Sequence, residues 1–183
     1  MNPLLDIQTK VDSVIDIATK EPEFINTANY LIVSIGRRNI ENWIGHAIKE
    51  GKIITPTFFL WVEPYLCAGH CLYIPTSKPN HHDYFEDELF KFNVISNTEY
   101  NSSSKLSLRE AGCQTSYTPY SYNNLMIYIS NIFIKMHETI IEKKGTSCSF
   151  SWIGDLSIIK EMNIQTSEFA KNKKLGELTK IEL

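Results

Sequence analysis

A chain of 183 residues holds one ordinary hydrophobic core and leaves little room for a second. With 43% hydrophobic and 11% aromatic residues it can bury enough apolar surface to fold, which excludes a disordered chain. Eighteen Lys and Arg against 21 Asp and Glu give a net charge of −3, and no basic stripe runs along any segment, which argues against nucleic acid as a partner.

The opening residues mix acids into an apolar pattern and show no basic region before a continuous hydrophobic run, unlike a signal peptide. No stretch of about 18 apolar residues occurs, so no membrane span is expected. Leu4, Ile7, Val11, Val14, Ile15 and Ala18 recur at three- and four-residue steps, predicting a helix with one buried face that ends at Glu21-Pro22. Phe24, Ala28, Leu31, Ile32 and Ile35 continue a helical pattern, which pauses at Gly36-Arg37-Arg38 and resumes through Ile40, Trp43, Ile44, Ala47 and Ile48 until Gly51. Residues 1–51 thus read as a helical layer, with Trp43 in the core and Arg37 and Arg38 in solvent.

From Thr55 the period changes. Phe58-Phe59-Leu60-Trp61-Val62, bounded by Pro56 and Pro64, predicts a strand, and Leu72, Tyr73 and Ile74 a second, paired as a hairpin around Ala68-Gly69. A loop follows over 76–83, then a short ambiguous segment at 86–90, a third strand over 92–95 and a polar loop over 96–104. Leu125, Ile129, Ile132, Phe133, Met136 and Ile140 fall on one face of a long helix starting near Tyr122, with Gly145 just past its end. Residues 147–152 alternate as a strand returning to the sheet, a short helix begins at Asp155, and beyond Thr166 a lysine-rich tail is peripheral or mobile. The expected class is α+β: one domain over 1–165, with an antiparallel sheet of about four or five strands covered by the N-terminal helices and the long helix.

No catalytic signature of high specificity is present. Cys67-Ala68-Gly69-His70-Cys71, with His81-His82-Asp83 ten residues on, offers zinc-ligand chemistry, yet the spacing lies outside the usual knuckle and buried cysteines with a surface His pair account for it better. A cysteine nucleophile needs a histidine beside it, for which His70, His81, His82 and His137 are the available residues. Glu86, Asp87 and Glu88 read as solvated acids. The four cysteines, Cys67, Cys71, Cys113 and Cys148, are too few for a disulfide scaffold, so reduced thiols in the cytoplasm are expected.

The stretch over 113–150 carries a resemblance. A cysteine, Cys113, precedes the long helix, which leads through Glu138 and Gly145 to Cys148-Ser149-Phe150. This resembles the ligand-binding domains of the vinyl-reductase type, which serve as sensor modules in aromatic-responsive transcription activators and are distantly related to vesicle-tethering TRAPP subunits and haem nitric-oxide sensors. Tyr30 to Gly36 is similar to the glycine-containing second helix of that group. Metal-binding members hold zinc with the cysteines and the glutamate. Here Cys113, Glu138 and Cys148 remain, with His137 as a substitute, while Thr146 and Ile141 stand where the family has an aspartate and a cysteine, so zinc is disfavoured. The resemblance implies a non-catalytic regulatory module that binds a small apolar or aromatic ligand between helix and sheet, lined by Tyr117, Tyr120, Tyr122, Tyr128 and Trp152. The alternative from a different class is a protein-interaction factor of the inhibitor or immunity type, and a third is a cysteine-dependent enzyme. The long apolar helix also makes a homodimer an expected assembly.

Overall fold

The computed structural model describes residues 7–76, 81–102, 104–109 and 116–183. Leu4 and Cys113, both used in the sequence reading, lie outside the described residues. The helices are α1 (Val14–Lys20), α2 (Pro22–Asn26), α3 (Arg38–Lys49), α4 (Asn97–Ser102), α5 (Tyr122–Ile141) and α6 (Ser157–Glu161). The strands are β1 (Leu31–Val33), β2 (Thr57–Val62), β3 (Ala68–Ile74), β4 (Phe85–Glu86), β5 (Leu89–Phe90), β6 (Leu108–Arg109), β7 (Ser116–Tyr117), β8 (Cys148–Ile153) and β9 (Leu178–Ile181). The class is α+β: a five-stranded sheet in the order β1-β2-β3-β8-β9 is antiparallel except for the parallel pair β1–β2, which α3 connects.

Strand alternation places side chains on two faces. Phe59, Leu72 and Ile74 meet Ile17 and Ala18 of α1, Ile25 of α2 and Ile44, Ala47 and Ile48 of α3 on one side. Phe58, Cys71, Tyr73, Cys148, Phe150 and Trp152 meet Tyr128, Ile132 and Met136 of α5 on the other. The sheet is therefore covered on both faces. A third cluster, with Tyr65, Cys67, Val94, Ile153 and Ile159, closes one end.

Several elements differ from their expectations. Leu31–Val33 is a strand, not a helix: Pro22 is the first residue of α2, which ends at Asn26, and the chain then pairs in register with Thr57, Phe58 and Phe59. Three β-branched or apolar residues beside a six-residue strand gain ladder hydrogen bonds that a local helical period cannot offer. The β2–β3 turn lies at Pro64–Leu66 rather than at Ala68-Gly69, which begin β3. Residues 92–95 form no strand; Ile95 makes an isolated bridge to Thr166. The polar segment over 96–104 contains α4. The lysine-rich end supplies β9, paired to Ser149–Trp152 of β8. The chain leaves α5 through Lys143 in the left-handed region (φ 47), not through Gly145, while Gly51 (φ 73) does end α3 as expected.

α5 itself is well specified. The Ser121 hydroxyl caps it by accepting from the Asn124 N–H at 3.1 Å, and Tyr128, Ile132, Met136 and Thr139 form its buried edge. Its opposite face is apolar too: Met126, Ile127, Phe133, Ile134 and Ile141 are all exposed. No helix among the described residues is long and apolar enough to cross a membrane.

Candidate functional site

The turn after β2 organises the chemistry. Directly after β2 stands an acid, Glu63, which is 2% exposed, and Pro64 then forces the chain to leave the sheet. Tyr65 and Leu66 follow with φ of 59 and 53, a tight reversal that keeps the Glu63 side chain inside. A buried carboxylate is costly unless its oxygens are satisfied. Here the His70 ring donates to it from Nε2 at 2.8 Å, the Val94 and Ile95 N–H groups donate at 2.6 and 2.8 Å, and the Tyr100 hydroxyl donates at 3.0 Å. The other ring nitrogen, Nδ1, is hydrogen-bonded to the Ser151 hydroxyl at 2.8 Å.

Ser151–His70–Glu63 has the connectivity of a nucleophile, base and orienting acid. It lacks access: His70 and Ser151 are both 0% exposed, with Trp61 and Phe90 rings 5.3 and 4.9 Å from the imidazole. A nucleophile must reach within about 3–3.5 Å of its target, and no approach to the Ser151 hydroxyl exists. The chain is a structural tie that fastens β3 and β8 to the segment over 93–100.

Tyr100 of that tie also lines a cleft of about 200 Å3 on the α3 side of the sheet. Phe59 and Trp61 of β2 line it, with Phe85 and Phe90 of the β4–β5 hairpin, Tyr100 of α4, and His81. Arg38, Glu41 and Asn42 on the first turns of α3 and Glu88 at the hairpin tip supply its polar edge. The rings support one another: Phe90 stands edge-on to Trp61 at 4.9 Å, and His81 stacks on Phe85 at 4.7 Å. His81 packs so tightly under α3 that a Cβ on Gly45 would lie 2.4 Å from its Nδ1. Burial, then the neighbouring His82 and His46, push the His81 pKa down to about 3, so the ring is neutral at physiological pH. Glu41 accepts from the Gly36 N–H at 2.9 Å; burial raises its pKa, opposed by that hydrogen bond and by Arg38.

The tyrosines and tryptophan expected to line a ligand site are dispersed. Tyr128 and Trp152 are 3% exposed and pack 6.0 Å apart between α5 and the sheet, and the Tyr128 hydroxyl donates to the His70 carbonyl at 2.6 Å. Tyr120 lies half-exposed on a shallow groove with Tyr65 and Asp155, and Tyr122 is in solvent. Tyr117 belongs to β7, paired with Leu108. The α5–sheet interface is filled by side chains, and the opening beside it is edged by Lys135, Glu138, Glu142 and Lys180. The apolar cleft is instead under α3.

Of the expected zinc residues, Cys113 lies outside the described residues, and the other three are not gathered. Cys148 is buried at the α5 face of the sheet, Glu138 is exposed and paired with Lys135 at 2.7 Å, and His137 is exposed. Cys67 and Cys71 belong to different core clusters, and His70 points to the opposite face from Cys71 because the two are adjacent in a strand. Among the described residues no group of three or more His, Cys, Asp or Glu is arranged to hold a metal ion. Burial raises the pKa of the Cys67, Cys71 and Cys148 thiols, the opposite of what a nucleophilic thiolate needs.

Glu63, Trp61, Phe85, Phe90 and Tyr100 were not among the expected site residues. One signal for the first was present: a carboxylate directly after an apolar strand and directly before proline. Compared with protein-family models, with curated proteins and with solved structures, the chain gives no match.

Proposed function

We propose that this chain is a non-catalytic ligand-binding module that takes a small aromatic or apolar molecule in the cleft between α3 and the sheet. The observation that carries this reading is the cleft's make-up, a wall of ring faces with a few fixed polar groups at its edge, which is the composition of small-molecule sites. Its size selects the ligand: about 200 Å3 is below the roughly 300–1,000 Å3 of drug-sized sites, so a compact molecule with one ring fits. A regulatory role follows from where the walls come from. α3, the β4–β5 hairpin and α4 are separate elements, and a ligand touching all of them stabilises their joint arrangement. The resemblance to vinyl-reductase-type sensor domains implies the same class of activity.

The test is a thermal melt of the protein against a panel of single-ring compounds, followed by Trp fluorescence. A ligand at 100 times its Kd should stabilise the fold by about 2.7 kcal/mol, and the fluorescence response should vanish in Trp61→Phe while the Trp43→Phe and Trp152→Phe proteins keep it. No saturable shift with any compound counts against the proposal.

A second reading, binding of a partner protein, draws on the exposed apolar face of α5. Apolar patches of this kind mark interaction surfaces. Ile134→Glu should then abolish association seen by light scattering, in a complex or a homodimer, without lowering the melting temperature.

A further inference from the structure

The charge around the cleft is lopsided. Among the described residues, two carboxylates, Glu41 and Glu88, and one guanidinium, Arg38, line it, with no lysine, and neutral His81 adds no positive charge. A further carboxylate, Glu63, stands directly behind the Tyr100 hydroxyl. Glu41 is half-buried, and desolvation works against its charged form. A cation entering the same space favours that charged form and is favoured by it.

Glu88 is brought to the cleft at a conformational cost. Asp87 and Glu88 are the two central residues of the β4–β5 hairpin, with φ of 48 and 64. A turn of this kind is easiest for Asn-Gly or Asp-Gly, and a non-glycine residue in the left-handed region is strained by its Cβ. Glycine at 88 would make the same turn more cheaply but remove the carboxylate from the cleft edge. The ring faces add a second attraction of the same sign, because the negative face of an aromatic ring draws cations, and Trp61 is the strongest such platform in the lining.

We infer that the cleft takes an organic cation: a compact amine whose ring or apolar body lies against the aromatic wall and whose ammonium faces Glu41 and Glu88. This rests on the cleft reading above and narrows it to one charge class. Calorimetric titration with phenethylamine, its neutral analogue 2-phenylethanol and its anionic analogue 3-phenylpropionate separates the two. Phenethylamine should bind at least roughly tenfold more tightly than either analogue, a factor within reach of one half-buried charge pair, and the margin should shrink with salt. Glu41→Gln and Glu88→Gly should each remove most of that margin. Glu88→Gly should do so while melting higher than the parent, since the turn is relaxed, so loss of binding cannot be laid to misfolding. If the alcohol or the acid binds as tightly as the amine, or if the preference survives both substitutions, the cation inference is wrong and the aromatic cleft stands. If none of the three binds and Trp61 fluorescence is unmoved, both fall.

Discussion

The most consequential residue is Glu63, because one buried carboxylate accepts from His70, Val94, Ile95 and Tyr100. Removing one partner of a buried charged network leaves the others unsatisfied, at about 3–5 kcal/mol. Glu63→Ala should therefore lower stability by that amount in urea unfolding, and Tyr100→Phe by about 1.5–3 kcal/mol. A cost under 1 kcal/mol for Glu63→Ala would mean that the carboxylate is not the hub. His81 gives a pH dependence. Its folded pKa of about 3 lies below the unfolded value near 6.5, so the unfolded chain binds the extra proton. The stability due to the neutral ring is present above about pH 6.5 and is lost as pH falls toward 3, at up to about 1.4 kcal/mol per pH unit. His82, lowered in the same direction by burial and by His46, adds to the slope. Urea midpoints at pH 7 and 5 should differ in the parent and differ less in His81→Gln; an unchanged slope in the variant would remove His81 as the cause.

At the scale of elements, α5 separates buried from exposed apolar residues two positions apart. Ile132 is 0% exposed and Ile134 is 59% exposed. Ile132→Ala should cost about 2–5 kcal/mol, and Ile134→Ala less than about 0.5 kcal/mol; similar costs at both positions would place a partner on the outer face in solution. This helix was legible because 20 residues carry enough turns for its period to show. Leu31–Val33 was not legible, since three residues cannot display a period of two and their apolar spacing extends the helical pattern on either side. What makes them a strand is their neighbour, β2, a tertiary cause. The β2–β3 hairpin was legible as a pair but not in its turn. Ala-Gly is a common turn sequence, whereas the observed reversal puts Tyr65 and Leu66 at positive φ, which neither residue type advertises. Gly69 has a different role: a Cβ there would lie 2.3 Å from the Tyr128 ring, so Gly69→Ala should destabilise by forcing α5 off the sheet, a loss that Tyr128→Ala in the same chain should partly restore.

For the molecule as a whole, the sheet has two unlike sides. α5 seals one of them with a filled interface, and α1, α2 and α3 cover the other while leaving the aromatic cleft where α3, the β4–β5 hairpin and α4 converge. The α+β class could be read from alternating and helical periods along the chain. The cleft could not, because its walls come from β2, the hairpin and α4, segments that individually read as a core strand, an ambiguous acidic patch and a polar loop. Local patterns say which residues are apolar; only the register of β2 with β3 and the Glu63 tie bring Trp61, Phe90 and Tyr100 to one place. The most direct measurement is amide chemical-shift mapping of the labelled protein during titration with phenethylamine. The account predicts saturable shifts concentrated at the start of α3, the β4–β5 hairpin and α4, with α5 unmoved. Shifts centred on α5 or on the Tyr120 groove, or none at millimolar ligand, would contradict it.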